Sequence, residues 1–98
     1  MTKLLKSRMG KEYDVVLRRC MAHSGQRAGG QNKFWETERN GKQLVTEDGI
    51  DYLLTTGLDV LTSWLVADRS LESLRGKRAI EQAKRIYESL RSYRRERL

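Results

Sequence analysis

The clearest hydrophobic pattern in the chain lies between Ile50 and Leu65. Ile50, Leu53, Leu54, Leu58, Leu61, Trp64 and Leu65 form one broad apolar stripe at helical spacing. Thr46 stands where its hydroxyl can cap the first turn of that helix. Glu47 and Asp48 follow, where the helix dipole favours acids. Gly57 falls mid-helix, a place where a neighbouring element can approach closely. The opposite face carries Asp51, Asp59 and Asp68. A second stripe begins with Leu71 and Leu74 and continues through Ala79, Ile80, Ala83, Ile86, Tyr87, Leu90 and Tyr93. From Ala79 its main steps run four, three, four, three, as in a coiled coil. A break at 68–70 separates the two helices. Ser70 is placed to cap the second, which reaches about residue 96, and Gly76 divides a short turn from its long part. The end, 91–98, is highly basic and is expected to fray.

Towards the N-terminus, residues 2–22 place Leu5, Met9, Tyr13, Val16 or Leu17, and Cys20 at steps of three and four, which suits a helix. Gly10 weakens its middle by about 1 kcal/mol against alanine and can divide it into two shorter helices. Tyr13, Val15 and Leu17 also alternate, so a strand over 12–19 is the rival reading. Residues 23–33 hold three glycines and no large apolar side chain and read as a connector.

Between connector and stripe, Phe34–Thr46 carries the pattern of a β-hairpin over about 33–46. Asn40-Gly41 is a strong two-residue turn signal, since both residues tolerate the positive φ of a type I′ turn. Such a turn sets Arg39 opposite Lys42, Thr37 opposite Leu44 and Trp35 opposite Thr46. Trp35 and Leu44 then share a face, and two like charges meet at the tip, a costly arrangement that an anion would relieve. The expected fold class is therefore α+β and mostly α: an N-terminal helix, one β-hairpin and two C-terminal helices, in a single domain over 1–98.

Charge changes the picture. The chain has 20 Lys+Arg against 13 Asp+Glu, a net charge of +7. Residues 1–33 carry a net of +6, residues 34–74 a net of −5 and residues 75–98 a net of +6. An acidic middle helix can pair with basic neighbours, but it cannot absorb all of their charge. The excess favours a polyanionic partner. The cationic residues expected to meet phosphates are Arg18, Arg19 and Arg27 around the first loop, Arg39 and Lys42 at the hairpin tip, and Lys77, Arg78, Lys84 and Arg85 on the last helix. DNA is favoured over RNA as the nucleic acid, and phage-type or regulatory proteins share this charge balance. No residue stands out for reading bases. Phe34, Trp35 and Tyr93 lie near basic residues and are candidates for base stacking. Trp35 reads better as the pin of the hairpin, and Trp64 as core.

Catalytic and metal chemistry have little to work with. Cys20 is the one cysteine and His23 the one histidine. Their i,i+3 spacing brings no third ligand and nothing to orient the imidazole. The acids Glu36, Glu38, Asp48 and Asp51 show no catalytic spacing. The expectation is a non-enzyme that needs no cofactor and no metal. A lone cysteine points to a reducing, intracellular setting, and no apolar run reaches the ~20 residues of a membrane span. A partner protein or a homodimer is the alternative to nucleic acid. Ala79, Ala83, Ile86, Tyr87, Leu90 and Tyr93 would supply that interface, as in an adaptor, inhibitor or assembly factor.

The run Asn40-Gly41-Lys42-Gln43-Leu44-Val45-Thr46-Glu47-Asp48-Gly49, followed by Ile50 and Leu53-Leu54, resembles the wing of winged-helix DNA-binding proteins. In that family the second wing strand ends in a Leu-x-Thr-x-x-Gly-like run, and a long helix, often used for dimerisation, follows. The resemblance covers about a third of the chain, residues 34–65. It implies that Arg39 and Lys42 touch phosphates or the minor groove from a wing tip. It implies that Ile86, Tyr87 and Leu90 lie in a dimer seam. It also implies that 2–9 and 11–22 are the last two of the three helices that precede the wing in that family, with the first missing.

Overall fold

A computed structural model describes residues 10–24 and 34–97. Of the positions singled out above, Leu5, Met9 and Arg27 lie outside the described residues, as do the expected helix over 2–9 and nearly all of the 23–33 connector. The described elements are helix α1 (Lys11–Ser24), strands β1 (Trp35–Thr37) and β2 (Gln43–Val45), helix α2 (Glu47–Ala67), a single 3₁₀ turn (Arg69–Leu71) and helix α3 (Lys77–Arg97). The chain is thus α+β and mostly α, with one antiparallel hairpin.

Helix, not strand, wins over 12–19. Tyr13, Val16, Leu17 and Cys20 line one face of α1, and Val15 joins them in the core. A 14-residue helix offers its polar residues to solvent on the other side, where Lys11 and Arg18 are exposed. Gly10, at φ +61, stands immediately before its first turn, a backbone conformation that L side chains rarely adopt.

α2 packs against α1, β2 and α3, most extensively against α3. Its stripe is spent as expected: Ile50, Leu53, Leu61, Trp64 and Leu65 are buried, and Leu54 and Leu58 pack against them. Each fully buried Leu or Ile contributes about 1.5–3 kcal/mol of transfer free energy. α2 is not one straight rod. Gly57 has φ +87 and ψ 174, which breaks the helix into arms over 47–56 and 58–67. A Cβ at Gly57 would meet nothing within 4 Å, so no neighbour approaches there. The glycine is needed for its backbone angles alone.

The last helix starts later than the pattern suggested. Asp68, not Ser70, does the capping in this stretch: its carboxylate accepts from the Ser70 N–H at 2.8 Å and from the Ser70 hydroxyl, closing the 3₁₀ turn. Leu71 and Leu74 are buried in the connection rather than in α3, and Gly76, at φ +55, precedes Lys77. The basic end expected to fray from 91 is helical through Arg97. Two side chains tie it to the start of α2. The Tyr93 hydroxyl donates to Glu47 Oε2 at 3.2 Å, and Arg94 pairs with Asp51. Acids at the N-terminus of α2 and cations at the C-terminus of α3 each complement a helix dipole.

The hairpin register also differs by one residue. Trp35 pairs with Val45, Glu36 with Leu44 and Thr37 with Gln43. Asn40 keeps a negative φ and only Gly41 is positive, at +87. The turn is therefore not a two-residue type I′. Gly41 N–H donates to Glu38 C=O at 2.9 Å, closing a turn over Glu38–Gly41, and Glu38 N–H donates to Lys42 C=O at 2.8 Å. This is the three-residue loop in which glycine forms the bulge. Asn40 Oδ1 accepts from the Lys42 N–H at 3.0 Å, a side-chain turn that suits asparagine without positive φ. The slip turns Trp35 to the Val45 side and Leu44 to the Glu36 side, so Trp35 and Leu44 do not share a face.

Two contacts fix this hairpin to the helices. The Val45 N–H donates to the Tyr13 hydroxyl at 3.2 Å in a buried setting. Burial pushes the Tyr13 hydroxyl up to about 12, only partly offset by that bond. At the other end, Phe34 C=O accepts from the Thr46 N–H at 3.1 Å and lies against Gly49. A Cβ on Gly49 would come within 2.1 Å of that carbonyl oxygen. The Thr46 hydroxyl meanwhile accepts from the Gly49 N–H at 3.1 Å. The Leu-x-Thr-x-x-Gly run thus has a physical reason: Leu44 is buried, Thr46 caps, and Gly49 leaves room for the crossing backbone.

Candidate nucleic-acid interface

α3 is a helix with two unlike faces. Ala79, Ala83, Ile86, Leu90 and Tyr93 are buried in the chain's own core. Ala79 and Ala83, at 0% exposure, let α3 lie close to its neighbours near the connection. Tyr87 is half-buried, with its hydroxyl 3.5 Å from the Leu54 carbonyl and Arg91 5.9 Å over its ring. The stripe considered as a partner interface or dimer seam is therefore covered within one chain. Its coiled-coil spacing arose because α3 packs against α2, an intramolecular partner with the same demands.

The outer face of α3 carries the charge. Lys77, Arg78, Lys84 and Arg85 are exposed, and none makes an ion pair among the described residues. Arg91 and Arg95 extend the face. Arg91 lies 3.6 Å from Glu88, a pair with both side chains more than half exposed, and Arg95 donates to Ser92 Oγ at 3.3 Å. Exposed pairs of this kind hold little energy and open readily for another anion.

The other expected cations are placed differently. Arg18 pairs with Asp68 at 2.8 Å, linking α1 to the connection before α3. The Ser70 hydrogen bonds, aided by Arg18, hold the Asp68 carboxyl below its usual value. Arg19 is half-buried on α1. Arg39 and Lys42 are exposed at the hairpin tip, but Glu36 and Glu38 flank them, and Arg39 shares a shallow concavity with both acids. Arg39 and Lys42 make no ion pair among the described residues, and in the observed register Arg39 does not face Lys42. Among the described residues α3 holds an array of exposed cations, the hairpin tip holds two, and Arg18 of α1 is paired with Asp68.

The aromatic candidates for base stacking are engaged internally. Phe34 stacks on Tyr52 with centroids 4.7 Å apart, Trp35 packs against the core, and Tyr93 is buried. Trp35 Nε1 is buried with no hydrogen-bond partner among the described residues. Cys20 and His23 part company. Cys20 is buried, which pushes its thiol up to about 12, whereas His23 is exposed and stacks on Trp64 at 5.5 Å. No group of three or more potential metal ligands occurs among the described residues, and no described helix is long and apolar enough to cross a membrane. Charge totals announced a basic C-terminal segment; that its cations line the outer face could be read only after the core side of α3 was known. No family model, curated protein or solved structure matches this chain.

Proposed function

We propose that this chain is a small intracellular nucleic-acid-binding protein, DNA favoured, that works through phosphate contacts from the outer face of α3. One observation carries the reading: Lys77, Arg78, Lys84 and Arg85 stand exposed on a helix whose other face is core, without an acid paired to any of them among the described residues. Each such cation can neutralise a phosphate and release counterions. The hairpin tip, which resembles a wing, adds Arg39 and Lys42 as flanking contacts of smaller weight, since Glu36 and Glu38 lie beside them. The adaptor alternative is less well supported, because the stripe it would use is buried. The reading calls for no cofactor, and a buried Cys20 thiol suits a reducing setting.

The test is a titration of a labelled duplex with the full chain across a salt series. Four phosphate contacts give a slope of log K against log salt of about −4. A flat response, or no binding at about 50 mM salt, contradicts the proposal.

A further inference from the structure

We infer that α3 enters the major groove of double-stranded DNA and that Glu81 and Glu88 read bases there; this rests on the phosphate-binding reading above. At about 100° per residue, Lys77, Lys84, Arg91 and Arg95 fall within about 40° of one another, in one row along the helix. Arg78 and Arg85 form a second row about 100° further round. Between the rows lie Glu88, Glu81 and Ser92, and this central line points directly away from the buried face of Ala79, Ala83, Ile86, Leu90 and Tyr93.

Two cationic rows flanking a carboxylate ridge match a groove with two phosphate walls and a floor of base edges. An α-helix with side chains is about 10–12 Å across, and the B-form major groove is about 12 Å wide. Lys77, Lys84 and Arg91 follow one another at steps of seven residues, as do Arg78 and Arg85, about 10.5 Å along the axis for each step. The ridge carries acceptors alone at Glu81 and Glu88. Among base edges the cytosine N4 amino group is the donor that suits a carboxylate. Glu88 is held only by the exposed contact to Arg91 at 3.6 Å, and Glu81 makes no ion pair among the described residues. Two acids in the midst of cations weaken general phosphate binding, and cytosine readout gives them a use. The same geometry excludes two other ligands. The A-form major groove of RNA is too narrow and deep for side chains to read, and this face of α3 offers single strands no exposed aromatic for stacking.

The test is selection from a randomised DNA duplex pool with the full chain and with Glu81→Gln and Glu88→Gln, beside direct titration of DNA and RNA duplexes of equal length. Both substitutions are at exposed positions, and unchanged circular dichroism serves as the check on folding. The expected result is enrichment of cytosine by the natural chain and a shift towards adenine at one position for each variant, by at least about fivefold, because glutamine pairs with adenine N6 and N7. DNA duplex should bind at least about tenfold more tightly than RNA duplex. Unchanged base preference in both variants, or equal affinity for the two duplexes, overturns the groove assignment while salt-dependent binding leaves phosphate contact standing. Absence of binding to every nucleic acid at low salt overturns both.

Discussion

The hairpin and α3 both present basic side chains, and they are built in opposite ways. The hairpin is positioned by its backbone. Gly49 makes room for the Phe34 carbonyl, Tyr13 accepts from the Val45 N–H, and Gly41 supplies the one positive φ of the loop. Its cations Arg39 and Lys42 sit among Glu36 and Glu38. α3 is positioned by side chains on one face alone, which leaves the whole outer face for charge. The contrast separates two properties that composition merges: where a chain is basic, and how many of its cations share one face. Changes at the hairpin should register in stability, and changes on the outer face of α3 in binding.

The largest effect expected is from Gly49→Ala. The added methyl meets backbone at 2.1 Å, which no rotamer change can relieve. Chemical denaturation should show a loss of about 3 kcal/mol, the upper end for overpacking. The folded fraction should keep its affinity for DNA if α3 is the interface. Tyr13→Phe should cost about 2 kcal/mol in the same assay, because the buried Val45 N–H loses its acceptor. It too should leave affinity alone. Lys84→Gln with Arg85→Gln inverts the pattern. Stability should move by no more than about 0.5 kcal/mol, while affinity at moderate salt falls about tenfold. A stability loss as large as that of Tyr13→Phe would mean that these cations are structural.

The smallest effect concerns pH. Asp68 has a depressed pKa in the folded chain, through Ser70 first and Arg18 after it. A depressed carboxylate stabilises the fold above its unfolded pKa, and that contribution is lost as pH falls through the folded value. Thermal melts from pH 5 downwards should therefore show a smaller acid-induced fall in Tm for Asp68→Asn than for the natural chain. At the alkaline end the sign reverses. Cys20 and Tyr13 are each raised to about 12, so their contribution is complete below their ordinary values of 9.0 and 10.0 and is lost as pH rises towards 12.

Helical periodicity made α2 and the inner face of α3 legible, because long stripes such as Ile50–Leu65 have one economical solution. The hairpin was legible as an element but not in register. Asn-Gly fits the two-residue turn and also the three-residue loop with a glycine bulge, and the choice moves every partner by one. The break at Gly57 was hidden because an isolated glycine inside a helical pattern is compatible with a straight helix. The start of α3 was displaced because Ser70 and Asp68 are both good capping residues, and only geometry shows which accepts. For the site, sequence named the cations of α3 but placed equal weight on the hairpin tip. That Arg39 shares a concavity with Glu36 and Glu38 depends on the path of the folded hairpin.

The most direct measurement compares salt slopes. Duplex affinity is titrated across a salt series for the natural chain, for Lys84→Gln with Arg85→Gln, and for Arg39→Gln with Lys42→Gln. The α3 pair should lower the magnitude of the slope by about 2 and the hairpin pair by less than about 1. Equal reductions, or a larger one for the hairpin pair, would contradict the claim that α3 is the phosphate-binding face.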